Sequence, residues 1–265
     1  MEIIGKTACQ IEGKLSIFAG FSSGIYLKDQ DDKLWMIHDE NYGIIPFGIG
    51  IKNCKEIIRS FYINQQSNIN NDIYSIVIDD LVIRLQQCNI QTYYIKDNTD
   101  ILFDVAIKKL KDVEKGCFRS LIMDCDDNVF SSLLKKSLNG KTVSQQDDLS
   151  SALENIIGLG PGLTPSGDDF LTGYLYDKIS YQTINDKTEE IMTIVKQTMT
   201  ERTSSFSCAY LDAVINQQRF SLFDDVCFTD NEEQLNIKID QLLEVGSNSG
   251  ADILTGILYS RYIDK

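Results

Sequence analysis

The chain has one histidine, one tryptophan and three prolines among 265 residues. With His38 as its only imidazole, no Ser–His or Cys–His nucleophile pair can be drawn near the other polar motifs. Basic residues are also in short supply. Lys and Arg number 25 against 39 Asp and Glu, a formal charge of -14. Such a balance argues against nucleic acid or an anionic membrane surface as partner. It leaves room for a small anion held by local backbone groups. Long apolar runs are missing too. The most apolar stretch, YGIIPFGIGI, has about ten residues, whereas a bilayer span needs about 20. The N-terminus lacks a basic region followed by an apolar core, so no signal peptide is expected. The seven cysteines are scattered without a CxxC pair, which suits reduced, buried thiols in a cytoplasmic protein.

What is present is an ordinary globular composition, 43% apolar and 24% charged, enough for one large domain or two small ones. The first hundred residues mix β-branched and aromatic residues with turn clusters such as DQDDK and DENYG, and they read as strands. Pro46 marks a strand start or an edge. NQQSNINND (64–72) reads as a polar loop, and His38 as a turn or edge-strand residue. From about residue 101 apolar residues recur at three- and four-residue spacing, the helical period. NVFSSLLKKSL reads as helix, 139–151 as a loop and ALENII as a short helix. Further helices are expected at 169–182, 187–201, 203–216, 231–245 and 250–263. The expected fold is α+β, with a β-rich domain over 1–100 and an α-helical domain over 101–265.

Backbone-special residues concentrate in GLGPGLTPSGDDFLTG (158–173), which holds five of the seventeen glycines and two of the three prolines. It has no Lys or Arg, so it is not a G-x-x-x-x-G-K-[ST] phosphate loop. Its helix–loop–helix setting also departs from the strand–loop–helix of a dinucleotide fold. Part of it recurs. SGDDFLTGYLY (166–176) and SGADILTGILY (249–259) share eight of eleven positions at an offset of 83 residues. Ser166 and Ser249 stand where N-caps belong, with Asp169 and Asp252 at capping-box spacing. Gly173 and Gly256 fall inside the helices, where glycine costs about 1 kcal/mol relative to alanine. That repeated cost predicts close approach of the two helices across a pseudo-twofold axis.

Capping leaves GLGPGLTP unexplained. Two readings stand, a ligand cradle and an elaborate turn. As a cradle, the amides of Gly160, Gly162, Leu163, Thr164, Ser166 and Gly167 converge on an anion at a helix N-terminus, with Ser249 and Asp252 from the second copy. Thr164 and Ser166 add hydroxyl donors. Asp168, not needed for capping, is free to orient a substrate nitrogen or to hold Mg²⁺; otherwise it is a solvated first-turn acid. Arg202 and Arg219 are candidates for further anion contacts or for surface ion pairs. Cys208 and Cys227 read as core.

GLGPGLTPSGDDFLTG closely resembles the hallmark of the AllH family, the H subunit of oxamate carbamoyltransferase. VGSNSGADILTG (245–256) resembles that family's C-terminal motif, and ERTSSFSCAYLDAV (201–214) its Thr/Ser-led helix. Where the family commonly has histidine in the C-terminal motif, this chain has Ser247. A mechanism needing imidazole there cannot operate here. The resemblance implies a cytoplasmic subunit acting with FdrA-like and AllG-like partners in anaerobic purine or allantoin breakdown. Together these interconvert oxalurate plus phosphate with oxamate plus carbamoyl phosphate. For such a transfer the catalytic candidates are Asp168, to position or deprotonate the attacking nitrogen, and Thr164 and Ser166, as hydroxyl donors. No cofactor is certain, and Mg²⁺ stays open. The other reading is a non-catalytic assembly subunit that binds an anion or nucleotide.

Overall fold

A computed structural model describes residues 3–11, 14–21, 24–54, 69–72, 75–78, 81–84, 98–123 and 155–262. The predicted elements over 90–97 and 128–151 lie outside the described residues. The fold is α+β: among the described residues there are a five-stranded mixed sheet near the N-terminus and seven helices that lie mainly in the C-terminal part. The chain divides into two compact units. One comprises residues 1–92 with 218–222, the other 93–217 with 223–265.

In the first unit, strands β1 (Ile3–Ile4), β2 (Ser16–Phe21), β3 (Gly24–Lys28), β4 (Leu34–Asp39) and β5 (Gly48–Ile51) form a sheet in the order β1-β5-β4-β3-β2. The β4–β5 pair is parallel and the other pairs are antiparallel. The DQDDK cluster makes the β3–β4 turn. Asp29 accepts from the amides of Asp31 and Lys33 and from the Trp35 indole. The DENYG cluster begins a short 3-10 turn over Glu40–Tyr42, with the Asp39 side chain taking the Asn41 amide. Its local side chains therefore set each turn, as the sequence predicts. A second sheet is the antiparallel meander β6 (Ile69–Asp72), β7 (Ser75–Ile78) and β8 (Leu81–Arg84). Thus 69–72 is strand rather than loop: a polar segment becomes a strand when a neighbour satisfies its backbone, here through the register Ile69↔Ile78 to Asp72↔Ser75.

His38 corrects a second expectation. It sits on β4, in the middle of the sheet, and is fully buried. Its Nδ1 donates to the Asp39 carbonyl at 2.9 Å, while Nε2 has no partner among the described residues. Gly48 and Gly50 on β5 leave the room its ring fills. Burial lowers its pKa from 6.5 to about 4, so the ring is neutral at physiological pH. It is a packed core group, far from the chemistry of a general base.

The helical unit contains α1 (Thr99–Val113), α2 (Ser166–Ser180), α3 (Asp186–Arg202), α4 (Ser205–Ile215), most of α5 (Ser221–Phe228), α6 (Glu232–Leu243) and α7 (Ser249–Tyr262). Helix α5 was not anticipated. Its eight residues are too few for a periodic signal to stand out. Asn185, Ser204 and Asn231 cap α3, α4 and α6 through their side chains. Helix α2 is buried along almost its whole length, and so is α7, so neither shows one apolar stripe. They form the centre of this unit and pack against each other.

The two internal glycines explain how. A Cβ on Gly173 would stand 2.0 Å from the Ile253 carbonyl oxygen, and one on Gly256 would stand 2.2 Å from the Phe170 carbonyl oxygen. Residues 173 and 256 are equivalent in the repeat, as are 170 and 253. The contact is therefore reciprocal, each glycine receiving the other helix's backbone. The first glycine of each S-G-x-D works likewise. A Cβ on Gly167 would stand 2.0 Å from the Ile156 carbonyl oxygen, and one on Gly250 would stand 1.7 Å from that of Leu242. Phe170 fills the adjoining core against Phe118, Tyr174 and Tyr259, with ring centroids 5.0–6.4 Å apart.

Candidate functional site

The loop before α2 is wound as its composition suggests. Gly158, Gly160 and Gly162 all have positive φ, at 76°, 113° and 109°. Their surroundings differ. A Cβ on Gly160 would press on the Ser166 amide nitrogen at 3.0 Å, but one on Gly162 would meet only the Thr164 carbonyl oxygen at 3.7 Å. Gly160 is thus packed against the helix start, whereas Gly162 fronts open space. Pro161, Gly162 and Leu163 are exposed. Among the described residues, the amides of Gly160, Gly162, Leu163 and Thr164 have no protein acceptor. The Gly167 amide is different: it donates to the Leu159 carbonyl at 2.9 Å. Of the predicted cradle, the four amides before Pro165 are open and that of Gly167 is committed to the fold.

The predicted capping boxes do not form as expected. Pro165 is the N-cap of α2, with no side-chain cap, and Ser166 is the first helical residue. Ser249 likewise begins α7. The hydroxyls are used across the helix pair instead. Thr164 and Ser249 are hydrogen-bonded at 3.0 Å, and Ser166 Oγ donates to Cys117 Sγ at 3.2 Å. The close approach at Gly173 and Gly256 sets the two helix starts side by side, which puts Ser249 within reach of Thr164.

The three aspartates divide the work differently from the sequence expectation. Asp168 is buried and holds the loop closed. One oxygen accepts from the Gly158 amide at 2.8 Å, the other from the Thr203 hydroxyl. Ser204 Oγ donates to the Leu163 carbonyl, so the α3–α4 junction pins the loop from two sides. Asp252 is fully buried. Its Oδ1 accepts from the amides of Cys117 at 2.6 Å and Phe118 at 3.2 Å. Its Oδ2 has no hydrogen-bond partner among the described residues. Ser166 lies beside this carboxyl, and its hydroxyl donates to Cys117 Sγ. Asp169, 6% exposed, lies beside the Ser249 and Thr164 hydroxyls and within electrostatic reach of Asp252.

Burial dominates the electrostatics. It raises Asp169 well above the ordinary carboxylate range, the neighbouring Asp252 and Asp168 charges add to the rise, and Ser249 and Thr164 oppose it. Burial also pushes Asp252 up to about 6, against the opposing help of Ser166, two backbone amides and the Arg119 charge. Asp168 is raised by burial as well, partly offset by its hydrogen bonds. The Cys117 thiol is raised by burial, and the charges of Asp252 and Asp169 raise it further. It therefore stays protonated and is a poor nucleophile. Thr164, Ser249 and Cys117 are each half-buried, so the cluster reaches the surface at these three residues.

The structure thus brings together Thr164, Ser166, Ser249 and Asp252, and sets the open amides of 160–164 on their rim. It withdraws Asp168 and Gly167 into the framework. Ser247 is exposed, just ahead of Ser249. Arg202 is exposed, and Arg219 belongs to the other unit. Sequence reasoning missed Cys117 and Arg119, which sit outside any motif. It also missed Thr203 and Ser204, although the ERTSSFS segment that carries them stands out in the sequence. A groove of about 500 Å³ runs along α1, lined by Asp100, Phe103, Asp104, Ile107, Ile122 and Tyr262. It lacks convergent hydroxyls and carries no catalytic grouping, so the helix starts remain the better candidate. Among the described residues, no group of three or more His, Cys, Asp or Glu is placed to hold a metal ion. Nor is any helix long and apolar enough to cross a membrane.

Residues 156–261 match the family model described as oxamate carbamoyltransferase subunit AllH. The matched region contains the glycine-rich loop, both copies of the S-G-x-D helix start and the α3–α4 junction that pins the loop. No solved structure matches the chain.

Proposed function

We propose that the protein is an AllH-like subunit of a carbamoyltransferase, working on oxalurate and phosphate to give oxamate and carbamoyl phosphate, or on closely related substrates. The observation that carries this reading is the family match over 156–261, inside which the hydroxyls and carboxyls of both helix starts converge. Phosphate would sit on the outer rim, against the open amides of Gly160, Gly162, Leu163 and Thr164. Backbone N–H groups at a helix start bind anions without a lysine. Thr164 and Ser249 would donate to the carbonyl oxygen that gains charge in the transition state. Asp168 would act indirectly, by fixing the loop through Gly158 and Thr203.

The exposure of Pro161–Leu163 favours one refinement. A loop that faces solvent gives an anion little enclosure, so partner subunits would close the site. FdrA-like and AllG-like chains are the proposed partners, in the cytoplasm and in purine or allantoin breakdown. A purely assembling subunit would use the same loop as a docking surface. Co-expression with those two chains, followed by an assay for oxalurate-dependent carbamoyl phosphate formation, tests the reading. Turnover that falls at least about tenfold in Thr164→Val or Ser249→Ala supports it. An active complex indifferent to both substitutions refutes a catalytic role for this chain.

A further inference from the structure

We infer that Asp169 and Asp252 act as one carboxyl pair holding a single proton, and that this pair binds the uncharged amide end of the substrate. Asp252 Oδ2 accepts an amide N–H and the Asp169 carboxyl donates to the departing nitrogen. This deepens the carbamoyl-transfer reading and rests on it. Three observations carry it. The two acids are equivalent in the repeat, so the helix crossing at Gly173 and Gly256 brings the two helix starts together. Asp252 is fully buried, and its Oδ2 is a strong acceptor with no partner among the described residues. Such an oxygen calls for a donor that the fold does not supply. Among the described residues no cation is hydrogen-bonded to either acid; Arg119, whose charge acts on Asp252, donates to the Leu110 carbonyl instead.

The ligand class follows from these groups. The ionised oxygens of a phosphate or carboxylate would be repelled by Asp252, so an anion's own contacts belong on the outer rim of amides, with only a protonated phosphate oxygen turned to the pair. An amide or ureido group fits the pair, because it offers N–H donors and a carbonyl acceptor at once. In the direction that consumes a ureido substrate, a phosphate oxygen bonds to the ureido carbon and the C–N bond breaks. The departing nitrogen takes the proton of Asp169, and the proton of hydrogen phosphate passes to Asp252. The pair begins and ends with one proton. Asp168 and Cys117 are the other titratable groups facing it, the first tied to Gly158 and Thr203, the second a neutral thiol.

The test uses Asp169→Asn and Asp252→Asn, each near-isosteric. Tm is followed from pH 4 to pH 8 as the difference between wild type and variant. The difference is needed because His38 titrates in the opposite sense over part of that range. A raised carboxyl folds best when protonated, so its contribution is lost as pH rises through its folded pKa. Each variant should therefore gain Tm relative to wild type as pH rises towards 8. A difference flat in pH overturns the shared proton. Oxamate and oxalate, which differ in one amide, are the ligand probes. Oxamate should raise Tm of the chain, alone or in complex, more than oxalate does, and Asp252→Asn should abolish the preference. Equal response, or none in either state, overturns amide binding. In an active complex either variant should lose at least about a hundredfold in turnover. Full turnover in the variants sinks this inference and spares the proposed function. An inactive wild-type complex sinks the proposed function, and the Tm profiles and oxamate preference still judge the pair.

Discussion

At their C-terminal ends α2 and α7 bury Asp177 and Arg261 as an ion pair at 2.9 Å; at their N-terminal ends they bury Asp169 and Asp252 with no cation bonded to either among the described residues. The pair at the C-terminal end is fully dressed. Arg261 also donates to Asn98 Oδ1 and the Cys227 carbonyl, and it stacks over Tyr181. Asp177 takes a further bond from Ser260. Asn98, the residue before α1, donates in turn to the carbonyls of Val226 and Thr229. Burial works against the charge on Arg261, but the charge and hydrogen bond of Asp177, together with Cys227 and Tyr181, outweigh it and hold Arg261 ionised. The same two helices therefore carry a closed polar network at one end and an open one at the other. Closed networks fix a fold, whereas open ones carry strain that a substrate can relieve.

The sharpest way to break the comparison is to part the helices. Gly173→Val or Gly256→Val puts side-chain atoms into a backbone carbonyl. Either should cost about 3 kcal/mol or more and disorganise both ends together, as read by circular dichroism melts. Next comes Arg261→Leu, which strands Asp177 in the interior and should cost about 3–5 kcal/mol in denaturant melts. Restoring most of that loss in the Asp177→Leu/Arg261→Leu double variant would show that the penalty is the stranded charge. At the open end the sign should reverse. Asp252→Asn keeps an acceptor for the Cys117 and Phe118 amides and removes a charge whose pKa is pushed to about 6. At pH 8 it should stabilise by about 1–2 kcal/mol, and the gain should vanish below about pH 4. The smallest effect is expected at Gly162→Ala. Nothing crowds that position, so only its positive φ penalises the methyl, by about 1 kcal/mol. A larger fall in phosphate binding than in stability would mark the rim as the anion site.

Much of this contrast was legible before any coordinates. The offset of 83 residues equates Ser166 with Ser249 and Asp169 with Asp252, and the paired internal glycines announce a close crossing. The excess of glycine and proline in 158–165 announces an unusual loop. What stayed hidden was direction. Ser166 and Asp169 at capping-box spacing read as partners of one another, because local hydrogen bonds are the ones a sequence displays. In the fold the serine turns to Cys117 and the acid faces the other helix start. Asp168 and Asp169 are adjacent and chemically identical. Only the helical rotation of about 100° between neighbours decides that one faces Thr203 and the other Ser249. His38 was misplaced for a related reason: a strand's neighbours, not its own residues, determine whether it is central or at an edge.

The sequence by itself determined most of the elements: strands where β-branched residues alternate with turn formers, several helices where apolar residues keep the 3.6-residue period, and a duplicated helix start with a glycine-rich loop before one copy. Those features depend on contacts a few residues long. The tertiary structure alone decided which carboxyl is spent on holding the loop and which is left unsatisfied. That outcome depends on Gly158, Cys117 and Thr203, brought from separate segments to within hydrogen-bond distance. An aspartate's pKa and purpose come from what surrounds it after packing, and no local pattern encodes those neighbours.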